Sequence, residues 1–233
     1  MTGPDLRPKP GRPKLGRRRL LATLPLAGLG ACTAADLIAN RPAPKLFELT
    51  PKSTFPADLP QARSTVRVET VTATAGLNTA RIALRPSPTA LDYYGGVLWI
   101  DVVPVMVQNL LIESLENSGR VDALGPAAAG VPADYALLAH VREFQAEYRD
   151  GKPTPSVRVR IQVRLVTLPR RESVDAAGAE ADVPASGGSI DAIVDTFDEA
   201  LGSVLRTIVG WTARTLHAIE TAESGKRARR AGS

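Results

Sequence analysis

The residue best suited to nucleophilic chemistry in this chain is its single cysteine, Cys32. Directly before it stand Leu29, Gly30 and Ala31. These three residues end a short apolar run that starts at Leu20 and follows the basic triplet Arg17–Arg19. A basic segment, a short apolar segment and small residues before a boundary are the physical pattern of an export signal. The run is too short for a transmembrane helix, because a crossing needs roughly 20 apolar residues.

The Leu-Gly-Ala-Cys order resembles the bacterial lipobox, in which the signal is cut before a cysteine whose thiol carries a lipid. We therefore predict a lipoprotein signal peptide over residues 1–31, with Leu29, Gly30 and Ala31 as its recognition residues. Cys32 is then the lipid-attachment residue. The alternative is an unmodified cysteine in a buried apolar run, since free cysteines are often buried. A cysteine with two or more acyl chains would hold the chain stably to a membrane.

Two details of this segment bear on export and location. Arg17 and Arg18 resemble a twin-arginine export signal, but a general basic segment fits them as well. Cys32 is followed by Thr33, whereas an aspartate at that place retains lipoproteins at the inner membrane of enteric bacteria. We therefore expect a chain that is lipid-anchored in the bacterial cell envelope and faces the periplasm. By the same rule, the outer membrane is favoured over the inner membrane.

Elsewhere the sequence gives little that points to catalysis. No acidic residue is placed by spacing to orient either histidine, His140 or His217, and there is no phosphate-binding glycine loop or nucleophile elbow. Two histidines and one cysteine also exclude zinc-finger and multi-cysteine iron–sulfur sites. We expect no enzyme activity, no catalytic residue, no metal and no cofactor.

The net charge of +5 belongs to the two ends of the chain. Residues 1–31 carry seven basic side chains and one acidic one, and the last ten residues carry four basic side chains and no acidic one. Residues 46–223 hold 16 basic and 22 acidic side chains. This acidic body is a poor partner for a phosphate backbone, so we expect no binding of nucleic acid.

The pattern along the mature chain divides it into three parts. Residues 32–64 are rich in proline and alanine, which predicts a lipid-anchored tether with one short strand from Leu46 to Leu49. Residues 65–222 form the predicted domain. Residues 223–233 are basic and predict a disordered tail.

Within the domain, β-branched and alternating patterns predict strands, and two apolar stripes at helical spacing predict helices. The predicted strands cover residues 65–74, 80–85, 97–101, 121–124, 135–148 and 157–165, with a bulge near Arg142 and a weak strand and loop over 170–186. Asp101 and Ser189 are the predicted helix caps, Gly95-Gly96 is a predicted turn, and the second helix continues to Ile219. These elements predict an α+β class, with a two-layer antiparallel or mixed β-sheet and two amphipathic helices on one face.

Two groups of side chains are candidate partner contacts. Arg158, Arg160 and Arg164 alternate with apolar residues, so they share one face of the sheet. The aromatic residues Tyr93, Tyr94 and Trp99 lie close together in a chain that is only 4% aromatic. A surface for an acidic partner or for lipid head groups is one interpretation. An ordinary solvated face for the arginines and core packing for the aromatic residues are the alternatives.

The run GLNTARIALRPSPTALDYYGGVLWIDVVPVMVQNLLIESLENSGRVDAL, residues 76–124, is similar to the ABC-type transport auxiliary lipoprotein family, which includes paraquat-inducible protein C. Its strand, its Tyr-containing turn with Tyr93, Trp99, the helix started by Pro104 and the Ser118-Gly119 pair carry the resemblance. The later FDEAL segment, residues 197–201, also fits.

The resemblance implies a non-enzymatic accessory of an MCE-type lipid transport system. Such a system pairs an ABC permease and ATPase with an MCE-domain protein that forms a hydrophobic conduit across the periplasm. The lipoprotein would dock to that conduit. A homo-oligomer of the chain is possible, and the resemblance leaves this open. The alternative is a lipoprotein chaperone or plug for an outer-membrane assembly machine.

Overall fold

The computed structural model describes residues 43–128 and 130–231. Over those residues the chain forms nine strands and two α-helices. The strands are β1 (Lys45–Phe47), β2 (Thr65–Val68), β3 (Thr72–Ala73), β4 (Arg81–Ser87), β5 (Ala90–Trp99), β6 (Asp122–Leu124), β7 (Tyr135–Glu147), β8 (Ser156–Thr167) and β9 (Ser173–Pro184). The helices are α1 (Val103–Ser118) and α2 (Ile190–Ala231).

Strand β7 organises the sheet because other strands pair along both of its edges. β8 runs antiparallel along one edge, while β2, β3 and β4 lie end to end and parallel to β7 along the other. On the side of β2, β3 and β4, β6 pairs with β2 and β5 pairs with β4, and β1 pairs with the other edge of β5. On the other side of the sheet, β9 pairs with the outer edge of β8. The mixed sheet and the two helices confirm the predicted α+β class.

The apolar pattern of the β7–β8 hairpin explains which face is buried. In β8 the alternating residues from Val157 to Leu165 are buried, while the arginines between them are partly exposed. In β7 the register shifts between Val141 and Glu143, which confirms the predicted bulge. The shift returns Phe144 to the buried face after Val141, and that face packs against the helices in one core.

Proline at the start and glycine at the end set the limits of helix α1. Pro104 lies in the first turn, where its missing N–H costs nothing, and Gly119 ends the helix with a positive φ of 59°. The predicted cap was wrong by one residue, because Val102 occupies the cap position and makes no side-chain capping bond. The Asp101 carboxylate instead accepts a hydrogen bond from the Val102 N–H.

Helix α2 begins as predicted. The Ser189 hydroxyl accepts a hydrogen bond from the Ala192 N–H at 3.3 Å, and buried residues recur from Ile193 to Leu216. The helix then continues to Ala231, so the prediction of a disordered tail after residue 222 was wrong. Lysine, arginine and alanine are strong helix formers, and basic side chains at a C-terminus interact favourably with the helix dipole.

Three aromatic side chains join the sheet to the second helix. The Trp99 ring centroid lies 5.8 Å from that of Phe144 and 5.2 Å from that of Phe197, both in edge-on arrangements. The Phe144 and Phe197 centroids are 5.1 Å apart. All three side chains are almost completely buried. The contact therefore links β5, β7 and α2, which are far apart along the chain.

The predicted tether is instead packed onto the body over its described part, residues 43–64, which we call the N-terminal strap. Leu49, Leu59 and Ala62 are buried in the core. The Lys52 N–H donates to the Ser114 hydroxyl of α1 at 2.9 Å, and the Ala62 N–H donates to the Arg120 carbonyl at 2.9 Å. Proline favours extended chain, but an extended chain with spaced apolar residues can also pack across helices. The strand within the strap is shorter than predicted and starts at Lys45.

In the sheet, one other expectation was wrong and one was right only in part. Gly95-Gly96 lies inside β5, where β4 and β5 shift register, and the chain turns earlier, after Ser87. Gly96 has a positive φ of 73°, which suits the irregular backbone there. The strand predicted within residues 170–186 is confirmed as β9, but its twelve residues also take up most of the predicted loop, and they pair with β8 with one register shift at Leu165.

Replacing Trp99 by alanine should lower the free energy of unfolding by about 3–5 kcal/mol, because the truncation leaves a cavity between two aromatic rings. Urea unfolding followed by circular dichroism measures this. Leu46→Ala is the control, since Leu46 is 58% exposed and its truncation should change stability by no more than about 0.5 kcal/mol. Equal effects of the two substitutions would contradict the central place of Trp99.

Candidate functional site

The predicted lipid-attachment residue Cys32 lies outside the described residues, as do Leu29, Gly30 and Ala31, so these stay predictions. Strand β1 starts at Lys45, thirteen residues after Cys32. Neither described helix has a stretch long and apolar enough to span a bilayer.

The three candidate aromatic residues do not form one exposed surface. Trp99 is 1% exposed, so its use is core packing. The half-buried Tyr93 donates its hydroxyl to the Gly76 carbonyl at 2.9 Å, and the Arg81 guanidinium lies 3.8 Å from its ring centroid. This stacked pair fixes the side chain of Tyr93 against the sheet.

Tyr94 has a separate polar contact. Its hydroxyl lies 3.0 Å from the hydroxyl of Tyr148, and both side chains are partly buried. Burial, together with the hydrogen bond to Tyr148, raises the pKa of Tyr94 well above its ordinary value. The Tyr94 hydroxyl therefore stays protonated and acts as a structural link between β5 and the end of β7.

The candidate arginines share the predicted face of β8, but neighbouring acidic side chains neutralise two of them. Arg158 Nε donates to Glu143 Oε2 at 2.6 Å, and Glu180 and Asp182 each lie 3.9 Å from the Arg158 guanidinium. Arg160 Nη2 donates to Glu143 Oε1 at 3.3 Å. Because the positive charges are compensated within the sheet, this face offers little net attraction to an acidic partner.

Arg164 has different surroundings. Its Nη1 donates to the Ser173 hydroxyl at 2.9 Å, and no acidic side chain lies within ion-pair distance of it in the part of the chain that the structure describes. Of the three predicted residues, Arg164 alone retains an uncompensated charge by this criterion. A single exposed arginine is a weak basis for a docking surface.

The hydrogen bonds of Glu143 belong to a charged network at one end of the sheet. Arg149 donates to Glu147 Oε2 at 2.5 Å and to Asp182 Oδ2 at 2.7 Å, and Gln145 Nε2 donates to Glu147 Oε1 at 2.8 Å. Burial raises the pKa of Glu147, but the hydrogen bonds from Gln145 and Arg149 outweigh it and hold that pKa below its ordinary value. The network lines a cavity of about 580 Å³ beside the β7–β8 turn.

Sequence reasoning missed this network because it considered each strand alone. Glu143 and Glu147 lie on the polar face of β7, and the hairpin register places Glu143 opposite Arg160. Aligning the two strands across the predicted turn, with the bulge included, would have shown the charge compensation.

A second polar cavity of about 700 Å³ lies between the end of the strap and the later turns of α2. At its wall, Glu220 accepts hydrogen bonds from the N–H groups of Arg63 and Ser64, each at 2.9 Å, and from the Ser64 hydroxyl at 2.6 Å. Burial raises the pKa of Glu220, but these hydrogen bonds and the nearby His217 outweigh it and lower that pKa. The carboxylate thus fastens the strap to α2.

Each histidine has one hydrogen-bond partner among the described residues. His140 Nδ1 lies 2.8 Å from the Thr72 hydroxyl, and His217 Nδ1 lies 3.2 Å from the Gln61 carbonyl oxygen. Over residues 43–128 and 130–231, no group of three or more His, Cys, Asp or Glu side chains is placed to hold a metal ion.

Glu143→Gln should lower the free energy of unfolding by about 1–2 kcal/mol, because it removes the charge that Arg158 and Arg160 share. Glu180→Gln is a matched control on the same arginine, since Glu180 is 65% exposed and its ion pair is long. The control should cost less than about 0.5 kcal/mol. Chemical denaturation measures both, and equal losses would refute the network as described.

The lowered pKa of Glu220 makes strap attachment dependent on pH. A carboxyl group whose pKa is lower in the folded state stabilises the protein above its ordinary pKa and loses that effect as the pH falls through the folded value. Wild type should therefore be about 1 kcal/mol more stable than Glu220→Gln near neutral pH, and the difference should vanish between about pH 5 and pH 3. Glu223→Gln, at an exposed position one turn on, should show no such difference. A pH-independent gap between wild type and Glu220→Gln would contradict this.

Comparison with known proteins assigns the fold and the family. A solved structure of a Xanthomonas campestris protein of family DUF330 has a TM-score of 0.71 at 24% identity, covering 76% of this chain and 99% of that one. A second solved structure, of an uncharacterized protein, has a TM-score of 0.53 at 14% identity, covering 72% and 97%. These likenesses show the fold.

Sequence comparison adds a relative and a family. An uncharacterized protein of Bradyrhizobium diazoefficiens is 30% identical over 192 residues, which are 80% of this chain and 49% of that protein. The chain thus spans about half the length of that relative. Residues 47–209 match the family described as the ABC-type transport auxiliary lipoprotein component. Because that match covers most of the chain, the family expectation is confirmed, and membership places the chain at a membrane of the cell envelope. The protein belongs to the ABC-type transport auxiliary lipoprotein family.

Proposed function

We propose that this chain is a non-enzymatic, lipid-anchored accessory of an ABC/MCE-type lipid transport system. It docks to the MCE-domain conduit in the periplasm and is anchored at the outer membrane through Cys32. The observation that carries the proposal is the family match over residues 47–209, downstream of a lipobox-like cysteine.

The cavities favour docking over lipid carriage by this chain itself. An acyl chain requires an apolar cavity, because its transfer from water is driven by burial of apolar surface. The cavities of about 580 Å³ and 700 Å³ are lined mainly by charged and polar side chains. The face of the sheet toward the helices is filled by one packed core. This lining supports a proposal in which the MCE-domain protein holds the lipid and this chain acts through its surface.

The exposed apolar residues suggest where that contact lies. Among the described residues, five large apolar side chains are exposed, and four of them belong to β1, β5, the loop after β5 and the start of α1. These four are Leu46, Leu91, Ile100 and Val105, and the fifth is Val131. Interface centres are typically apolar and depleted in charge.

Two of these residues, Leu46 and Ile100, lie close together at β1. Leu46 pairs in register with Leu98, and the Ile100 N–H donates to the Phe47 carbonyl at 2.8 Å, so Ile100 flanks β1. Leu46 is 58% and Ile100 is 55% exposed. We call Leu46, Leu98 and Ile100 the apolar edge, and we assign it the contact with the MCE-domain protein.

Affinity capture of the lipidated chain from solubilised envelopes tests the proposal. Wild type should retain an MCE-domain protein with its ABC permease and ATPase. Leu46→Asp with Ile100→Asp should reduce that capture at least about tenfold, because a buried charge at an interface centre is costly. Val131→Asp is the matched control and should capture as wild type does.

Two outcomes would overturn the proposal. Capture of an outer-membrane β-barrel in place of the MCE-domain protein would support the chaperone or plug alternative. A Cys32→Ser chain that stays in the membrane fraction and captures no MCE-domain protein would refute both the anchor and the partner.

A further inference from the structure

We propose that the last turns of α2 bind the anionic phospholipid head groups of the bilayer that holds the chain's own lipid anchor. We define the basic end of α2 as Lys226, Arg227, Arg229 and Arg230. This inference rests on the proposed lipid anchor at Cys32 and does not depend on the MCE-domain partner.

The basic end projects from the body as a helix. The last buried residue of α2 is Leu216, and every side chain from Thr221 to Arg230 is exposed. At about 100° per residue, the four basic side chains occupy an arc of about 160°, so they face one side of the helix. The small residues Gly225 and Ala228 fall outside that arc. The helix therefore presents its charge in one direction.

The four basic side chains of this end form no ion pair with the described part of the body. None of the four side chains is within ion-pair distance of an acidic side chain anywhere in the described ranges 43–128 and 130–231. The chain before it, residues 46–223, carries six more acidic than basic side chains. On an anionic surface, the basic end is attracted while the rest of the body is repelled. That polarity orients the body with the end of α2 toward the head groups.

The length of the segment between Cys32 and the body allows the basic end to reach the membrane, and it limits how steeply α2 can be inclined to the membrane. Lys45 forms an ion pair with Asp191, so the strap enters the body beside the start of α2. The thirteen residues from Cys32 to Lys45 can span at most about 45 Å, whereas α2 from Asp191 to Arg230 is about 58 Å long. The body cannot stand upright on the basic end, but it can reach the membrane with α2 inclined by up to about 50° to its plane.

The membrane is favoured over an acidic protein because the anchor keeps it within reach at all times. Each basic side chain near an anionic bilayer raises the membrane-binding constant about fivefold, and salt screens this effect. An acyl anchor combined with a basic segment is a general way to strengthen membrane attachment. The basic end would therefore act as a second, reversible point of attachment.

Vesicle sedimentation with the unlipidated chain, residues 33–233, tests this without the anchor. The described body has its own core, so this chain is expected to fold. Wild type should bind vesicles that contain phosphatidylglycerol, should bind them less in high salt, and should not bind pure phosphatidylcholine vesicles. Arg229→Ala with Arg230→Ala should weaken binding at least about tenfold.

The matched control removes two arginines from exposed positions nearer the middle of the same helix. Arg206→Ala with Arg214→Ala changes the net charge equally and should bind anionic vesicles as wild type does. The proposal is overturned if wild type ignores anionic vesicles, if both double variants bind equally weakly, or if the Arg229 and Arg230 variant binds normally. If wild type does not bind vesicles but captures an acidic protein that the Arg229 and Arg230 variant does not capture, the basic end binds a protein partner instead.

Discussion

The burial of Phe144 is the constraint on which the two layers depend. This side chain contacts Trp99 of β5 and Phe197 of α2, and it lies in β7, which pairs with strands on both edges. Phe144 faces the core only because the bulge before it changes the phase of the strand. If the alternation continued from Val141 without the bulge, Phe144 would lie on the polar face and Glu143 would lie among apolar side chains. One local irregularity therefore decides both the core and the charged network.

The elements that the sequence predicted well are those with strong periodicity and clear ends. The alternation from Val157 to Leu165, the proline and glycine at the ends of α1, and the cap at Ser189 are local signals, and the structure agrees with them. The phase slip in β7 predicted the bulge for the same reason. Local signals of this kind report the buried face directly.

The predictions that failed concern residues whose structure depends on distant partners. The strap is ordered by Ser114, Asp198 and Glu220, which are 62 to 157 residues away along the chain. β9 has weak strand propensity and is ordered by pairing with β8. The candidate site shows the same limit, because the charge of an arginine pattern on one strand is cancelled by carboxylates on its neighbours. Spacing within one element cannot show such contacts.

The strap has a mechanical consequence. It runs along α2 in the direction of the helix, from the ion pair of Lys45 with Asp191, through Thr50 with Asp198, to Ser64 with Glu220. A pull on the N-terminal end of the strap, directed past the start of α2 and along the helix axis, therefore loads these contacts together, as in shear, instead of breaking them one after another. A pull in this direction reaches the core through all of these contacts without first unravelling the strap.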